Sequence, residues 1–131
     1  MAGTTKASTP AKKPRRFLFI DYENVADAEV WKADGSFHIC IFTGTNQNKI
    51  PLTMVEKLQP LGSRVEWRHV DGHGKNALDF FIAYELALIL SKEPDCECVI
   101  LSKDTGFDPL LNSLVKEGRK VRRIAHISEL R

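Results

Sequence analysis

Val99-Ile100-Leu101-Ser102-Lys103-Asp104-Thr105-Gly106-Phe107-Asp108-Pro109 holds the end of a strand, a tight turn and the beginning of a helix. The run Val99 to Leu101 is wholly apolar and mostly β-branched, as a strand buried on both faces requires. Gly106 permits the turn. Asp108 before Pro109 offers what a helix start uses, a side-chain acceptor followed by a residue with preset φ. Asp104 lies past the strand and ahead of the helix, where no backbone group needs its carboxylate. Asp104 is therefore the stronger candidate for chemistry, with Asp108 about one helical turn further on as a second acid for the same pocket or as a cap.

The same order of strand, acid and helix recurs outward from this stretch. Phe17-Leu18-Phe19-Ile20 ends at Asp21, and Asn24 follows three residues later. Asn24 either presents an amide on the same corner as the Asp21 carboxylate or closes a local turn. Further strand patterns occupy Phe37 to Phe42, Val65 to Val70 and Val121 to Ala125, with the first and fourth strands at Phe17 to Ile20 and Val99 to Ser102. Helical patterns fall at Val25 to Lys32, Leu52 to Leu61, Asn76 to Lys92 and Pro109 to Glu117, with Gly35, Gly62 and Gly118 as stops. This alternation predicts an α/β fold with a mainly parallel five-stranded sheet covered by helices on both faces. In such a sheet the ligand crevice lies outside the carboxyl ends of the strands, so acids from distant stretches meet in one pocket. A pocket of that kind suits a hard divalent cation.

The pattern at Asn76 to Lys92 adds another acid. From Ala77 to Leu90 its only polar members are Asp79, Tyr84 and Glu85, which predicts a largely buried helix. Burying the Asp79 carboxylate costs several kcal/mol unless it is paired, hydrogen-bonded or metal-bound. Asn76 with Asp79 three residues on also has the spacing of a capping box.

A chain of 131 residues fits one domain, and 43% hydrophobic with 27% charged residues excludes a disordered or membrane-embedded class. Neither a long apolar run nor the apolar stretch of a signal peptide is present. Three cysteines, with Cys96 and Cys98 lacking a second cluster, predict a reduced, cytoplasmic protein without a structural zinc site. His69 and His73 straddle a glycine loop and make a poor ligand pair. The totals of 19 bases and 17 acids conceal a division. Residues 1–16 carry five bases and no acid, and residues 116–131 carry six bases against two acids, leaving eight bases and fifteen acids between. The expectation is a disordered basic tail over residues 1–16 and a folded domain over 17–131, with nucleic acid as the partner that basic ends would hold. Arg119, Lys120, Arg122 and Arg123 form the densest basic group.

Phe-Ile-Asp21-Tyr-Glu-Asn24-Val, Gly74-Lys75-Asn76-Ala-Leu-Asp79-Phe and Leu-Ser102-Lys-Asp104-Thr-Gly-Phe107-Asp108-Pro109-Leu, taken in order, resemble the motifs of the PIN-like nucleases, in particular the NYN branch. The resemblance spans residues 17 to about 125. It implies a three-layer, Rossmann-like α/β/α domain and a metal-dependent ribonuclease using Mg²⁺ or Mn²⁺. On that basis Asp21, Asp79 and Asp104 correspond to the family acids, with Asp108 a fourth metal and catalytic candidate, and Asn24 and Ser102 support the site. Lys75 and Lys103, beside Asp79 and Asp104, are candidates for phosphate contact. The implied reaction is hydrolysis of single-stranded RNA with water as nucleophile, leaving 5′-phosphate and 3′-hydroxyl ends. One departure stands out: where the family reads Ser-x-Asp-x-Asp-Phe, this chain has Gly106 for the second Asp, and Asp108 comes two residues later. That departure keeps open a non-catalytic or weakly active RNA-binding or assembly module on the same fold, alone, as a homo-oligomer or with a protein partner. A phosphate-accepting receiver or a haloacid-type phosphatase fits the acid positions less well.

Overall fold

The computed structural model describes residues 13–72, 74 and 76–131. Five strands form one sheet: β1 (Arg16–Asp21), β2 (Phe37–Thr43), β3 (Val65–His69), β4 (Glu97–Leu101) and β5 (Lys120–Ile124). Three α-helices accompany them: α1 (Leu52–Leu58), α2 (Ala77–Lys92) and α3 (Asp108–Lys116). The strand order is β3-β2-β1-β4-β5, and every neighbouring pair is parallel. Because successive side chains of a strand point to opposite faces, β1 feeds two cores at once. Phe17 and Phe19 pack with Cys98 and Ile100 of β4 under Leu78, Ile82, Leu86 and Leu90 of α2 and Leu111 of α3. Leu18 and Ile20 pack with Val99 and Leu101 against Met54 and Leu58 of α1. The expected three-layer α/β/α arrangement is thus the observed one.

The strand order also fixes where ligands can approach. From β1 the chain proceeds to β2 on one side, and it later returns to lay β4 on the other side of β1. The carboxyl ends of β1 and β4 are neighbours at that reversal, with Ile20 in register with Leu101, so Asp21 and Ser102 emerge side by side.

Two local expectations are corrected. No α-helix forms over Val25 to Lys32; the segment is turns followed by a single 3₁₀ turn at Val30–Lys32. Its buried residues, Val25 and Val30, are five apart and cannot share one face of a helix, so two separate anchors hold an irregular connection instead. Asn76 precedes α2 in a left-handed conformation (φ 66°, ψ 15°) with no side-chain cap, so Asn76 and Asp79 do not form a capping box. Of the basic tail expected over residues 1–16, residues 1–12 lie outside the described residues. Arg15 pairs with Glu93, and Arg16 opens β1 while its Nε donates to Glu97 Oε1 at 2.8 Å. No helix among the described residues is long and apolar enough to cross a membrane.

Candidate active site

Asp21 ends the central strand and is 3% exposed. Ser102, immediately past β4 and fully buried, donates its hydroxyl to Asp21 Oδ2 at 2.8 Å. Ser102 Oγ in turn accepts from the Asp104 backbone N–H at 3.0 Å, so one side chain ties the end of β1 to the turn that carries Asp104. Asn24 Oδ1 accepts from the Lys103 backbone N–H at 2.6 Å, a second tie between the same two loops. Asp104 then turns back on its own loop, its Oδ1 accepting from Gly106 N–H at 2.8 Å. A Cβ at Gly106 would stand 2.9 Å from that oxygen, so glycine leaves room for the carboxylate.

Asp79 reaches the same place from the first turn of α2. It lines the same cavity as Asp104, whose carboxyl acts on it. Its pKa is pushed up to about 7, first by burial and then by Asp104, with the charges of Asp21 and Glu23 adding to it. Asp21 is also raised, mainly by burial; the Ser102 hydroxyl opposes the rise, and Glu23 and Asp104 add to it. Two of the expected acids therefore line one cavity, and the charge of the third, Asp21, reaches Asp79.

Glu23 is a participant to which the sequence analysis assigns no role. Its carboxylate packs where a Cβ on Gly44 would stand, 1.8 Å from Oε2, so the glycine after β2 makes space for it beside Asp21. The signal was its place two residues after Asp21; what the sequence does not display is the glycine that parallel pairing of β1 and β2 brings alongside.

Asp108 takes a different position from the one expected. It is the first residue of α3, in helical conformation and without a capping bond. Arg123 of β5 grips it through both carboxylate oxygens and also donates to the Ser102 carbonyl. The guanidinium holds the Asp108 carboxyl below its ordinary range. Asp108 is thus engaged as an ion pair with Arg123. The basic group at the C-terminal end is likewise engaged with its own chain: Arg119 donates to the Leu90 and Pro94 carbonyls, and Arg122 to those of Glu129 and Arg131. Lys103 has an exposed side chain, and Lys75 and His73 lie outside the described residues.

Among the described residues, one set of three potential metal ligands has atoms all within 4.8 Å of one another, namely His38, Cys40 and Glu66. Asp21, Asp79 and Asp104 do not meet that spacing as a trio. The His38 set sits away from the crevice, on β2 and β3. His38 Nε2 is 2.8 Å from Glu66 Oε1, Arg68 also binds Glu66 at 2.8 Å, and burial pushes the Cys40 thiol up to about 12. A thiol held protonated is a poor ligand, since thiolate is the binding form. The all-oxygen acids fit a hard cation better. An octahedral Mg²⁺ or Mn²⁺ commonly keeps several waters and binds through one or two carboxylates, which matches the Asp79 and Asp104 pair with Asp21 at one remove.

A family model of the PIN domain matches residues 15–124, and the chain belongs to that family. Comparison with curated proteins and with solved structures gave no significant match.

Proposed function

We propose that this chain is a metal-dependent ribonuclease of the NYN-type branch of PIN-like proteins, hydrolysing RNA phosphodiester bonds at the crevice between β1 and β4. The observation that carries the reading is Asp79 and Asp104 lining one cavity beside buried Asp21 at the sheet's reversal point, with the carboxyls of Asp79 and Asp21 raised in pKa. Asp79 and Asp104 would hold Mg²⁺ or Mn²⁺, with Asp21, oriented by Ser102, as the third acid. When bound, such an ion supplies charge neutralisation at the phosphoryl group and makes water more acidic. The chain's own contribution is placement. Ser102 and Asn24 lock the two loops together, and burial by α2 and β4 raises the affinity of the site for positive charge. The three cysteines, all buried and unpaired, accord with a reducing, cytoplasmic setting.

The test is cleavage of end-labelled single-stranded RNA with Mn²⁺, Mg²⁺ or EDTA, comparing wild type with Asp21→Asn and Asp104→Asn. The reading requires metal-dependent cleavage to 5′-phosphate ends and a loss of about 10²-fold or more in each variant. Cleavage that persists in EDTA, or yields cyclic phosphates, overturns it.

A second reading, a weakly active RNA-binding or assembly module, is favoured by one observation: Gly106 removes a family acid and Arg123 engages both carboxylate oxygens of Asp108. Such a module would bind Mn²⁺ weakly, and Asp104→Asn would leave its RNA binding unchanged or stronger.

A further inference from the structure

The acid pair borders a cavity whose other lining residues have no part in metal binding. A cavity of about 340 Å³ is lined by Asp79, Phe80 and Ala83 of α2 and by Asp104, Phe107 and Leu110 of the segment leading into α3, so acids and apolar groups share it. Phe80 follows Asp79 on α2 and is 71% exposed, an arrangement that costs burial and wins nothing inside the fold. Tyr84, 62% exposed, lies one helical turn further along the same face, at the spacing where two side chains become neighbours. Leu110, on the first turns of α3, is 39% exposed and faces the same opening.

The occupant is set by this juxtaposition. A ligand filling the cavity must offer a cation-bridged anionic group to Asp79 and Asp104 and, at the adjoining end, a flat apolar ring to Phe80. A nucleotide unit joins those two chemistries in one residue, but only where its base is free of a partner strand. We propose that Phe80 is the platform on which the base beside the reacting phosphodiester stacks, with Leu110 as the opposite wall and Tyr84 as a second step for the next base, so that the site accepts single-stranded polynucleotide and rejects duplex. This rests on the nuclease reading of the acid pair and adds to it a substrate form and a specificity-determining residue. Stacking of a base on an aromatic side chain tolerates every base, so the preference is for unpaired bases rather than for a sequence. It predicts Phe80→Ala to weaken binding about 5- to 100-fold and Tyr84→Ala to weaken it less.

The experiment measures binding and cleavage separately for wild type, Phe80→Ala, Phe80→Trp and Tyr84→Ala. The probes are a fluorescent single-stranded oligoribonucleotide, the same strand with one abasic residue beside the cleaved bond, and the matching duplex. Binding is read by anisotropy with Ca²⁺, cleavage with Mn²⁺. Expected are weak binding of the duplex by wild type, loss of single-strand binding in Phe80→Ala, recovery in Phe80→Trp, and near-equal binding of the abasic strand by wild type and Phe80→Ala. If wild type binds in this pattern without cleaving, the catalytic reading fails and the stacking platform stands. If Phe80→Ala binds the intact strand as wild type does, or loses the abasic strand equally, the platform is overturned. A Phe80→Ala protein that sediments as a monomer while wild type is dimeric, with strand binding unchanged, would instead assign this face to a second copy.

Discussion

Arg123 holds Asp108 with two parallel hydrogen bonds, Nε to Oδ1 at 2.8 Å and Nη2 to Oδ2 at 3.2 Å, while its Nη1 donates to the Ser102 carbonyl at 3.0 Å. One guanidinium therefore fixes the start of α3 and the last peptide before the acidic turn. A planar fork is suited to this task in a way that a lysine ammonium is not.

Asp108→Asn is expected to lower Tm modestly while leaving Mn²⁺ affinity within about twofold of wild type, because the Asp108 carboxylate is taken up by both hydrogen bonds to Arg123. Arg123→Lys should do more harm, loosening the Ser102 carbonyl as well. Calorimetric Mn²⁺ titration alongside thermal unfolding checks both; a loss of metal affinity in Asp108→Asn as large as in Asp104→Asn would return Asp108 to the site.

Ser102→Ala removes the hydroxyl that both orients Asp21 and receives the Asp104 amide. Leaving that buried carboxylate short of a partner costs about 1–3 kcal/mol in stability. Loss of the orienting bond should also weaken metal affinity or activity about 10- to 100-fold. Urea unfolding and Mn²⁺ titration of the same variant measure the two effects. Ser102→Thr, which keeps the hydroxyl, should retain more metal affinity than the alanine.

The Asp79 carboxyl sets a pH dependence whose sign follows from its pKa, about 7 folded against the ordinary 3.8. In metal-free protein the folded state binds the extra proton between those values, so the stability it contributes is full below about pH 4 and is lost as pH rises through about 7. Metal binding needs that proton released, so Mn²⁺ affinity should climb from pH 6 to pH 8 with release of about one proton per ion near pH 6. Thermal unfolding in EDTA across this range, and calorimetry in two buffers of different ionisation enthalpy, read these directly. Asp79→Asn should flatten the stability profile, and a flat wild-type profile would refute the raised Asp79 pKa.

Glu23→Gln removes a charge that raises both Asp21 and Asp79. The expected result is a lower apparent pKa for Asp21 and Asp79 together with weaker Mn²⁺ binding, since the site loses negative potential. Gly44→Ala, which displaces the Glu23 carboxylate, should move both quantities the same way. NMR titration of the aspartate carboxyls resolves the shift.

The strands and the existence of α2 were legible because their signals are local, but the expectation that α2 is largely buried is not met: Leu78, Ile82, Leu86 and Leu90 face the core, while Phe80, Phe81 and Tyr84 are exposed. Phe17 to Ile20 and Val99 to Leu101 are uninterrupted apolar runs, and the apolar length of α2 leaves Asp79 conspicuous. Asp21 and Asp104 could be placed at a crevice because parallel βα units put strand ends there. What stayed hidden depended on partners far along the chain. Asp108 and Pro109 spell a helix cap, but Arg123, fifteen residues on, competes for the carboxylate and wins with a bidentate ion pair. The sequence also does not show that Arg119 and Arg122 of the basic group each donate to carbonyls of their own chain, at the end of α2, at Pro94 and at the C-terminal end. At Val25 to Lys32 the composition permits a helix, and only the five-residue interval between Val25 and Val30 argues against one.

The sheet does not close on itself, and both of its outer margins are left without a neighbouring strand. On one margin β3 displays Glu66, Arg68 and His69; on the other, β5 displays Lys120 and Arg122. An incoming chain that tried to extend the sheet at either side would have to desolvate those charged groups, which discourages ribbon-like stacking of one molecule on the next. The acidic crevice thus opens at the ends of the strands, apart from these charged margins.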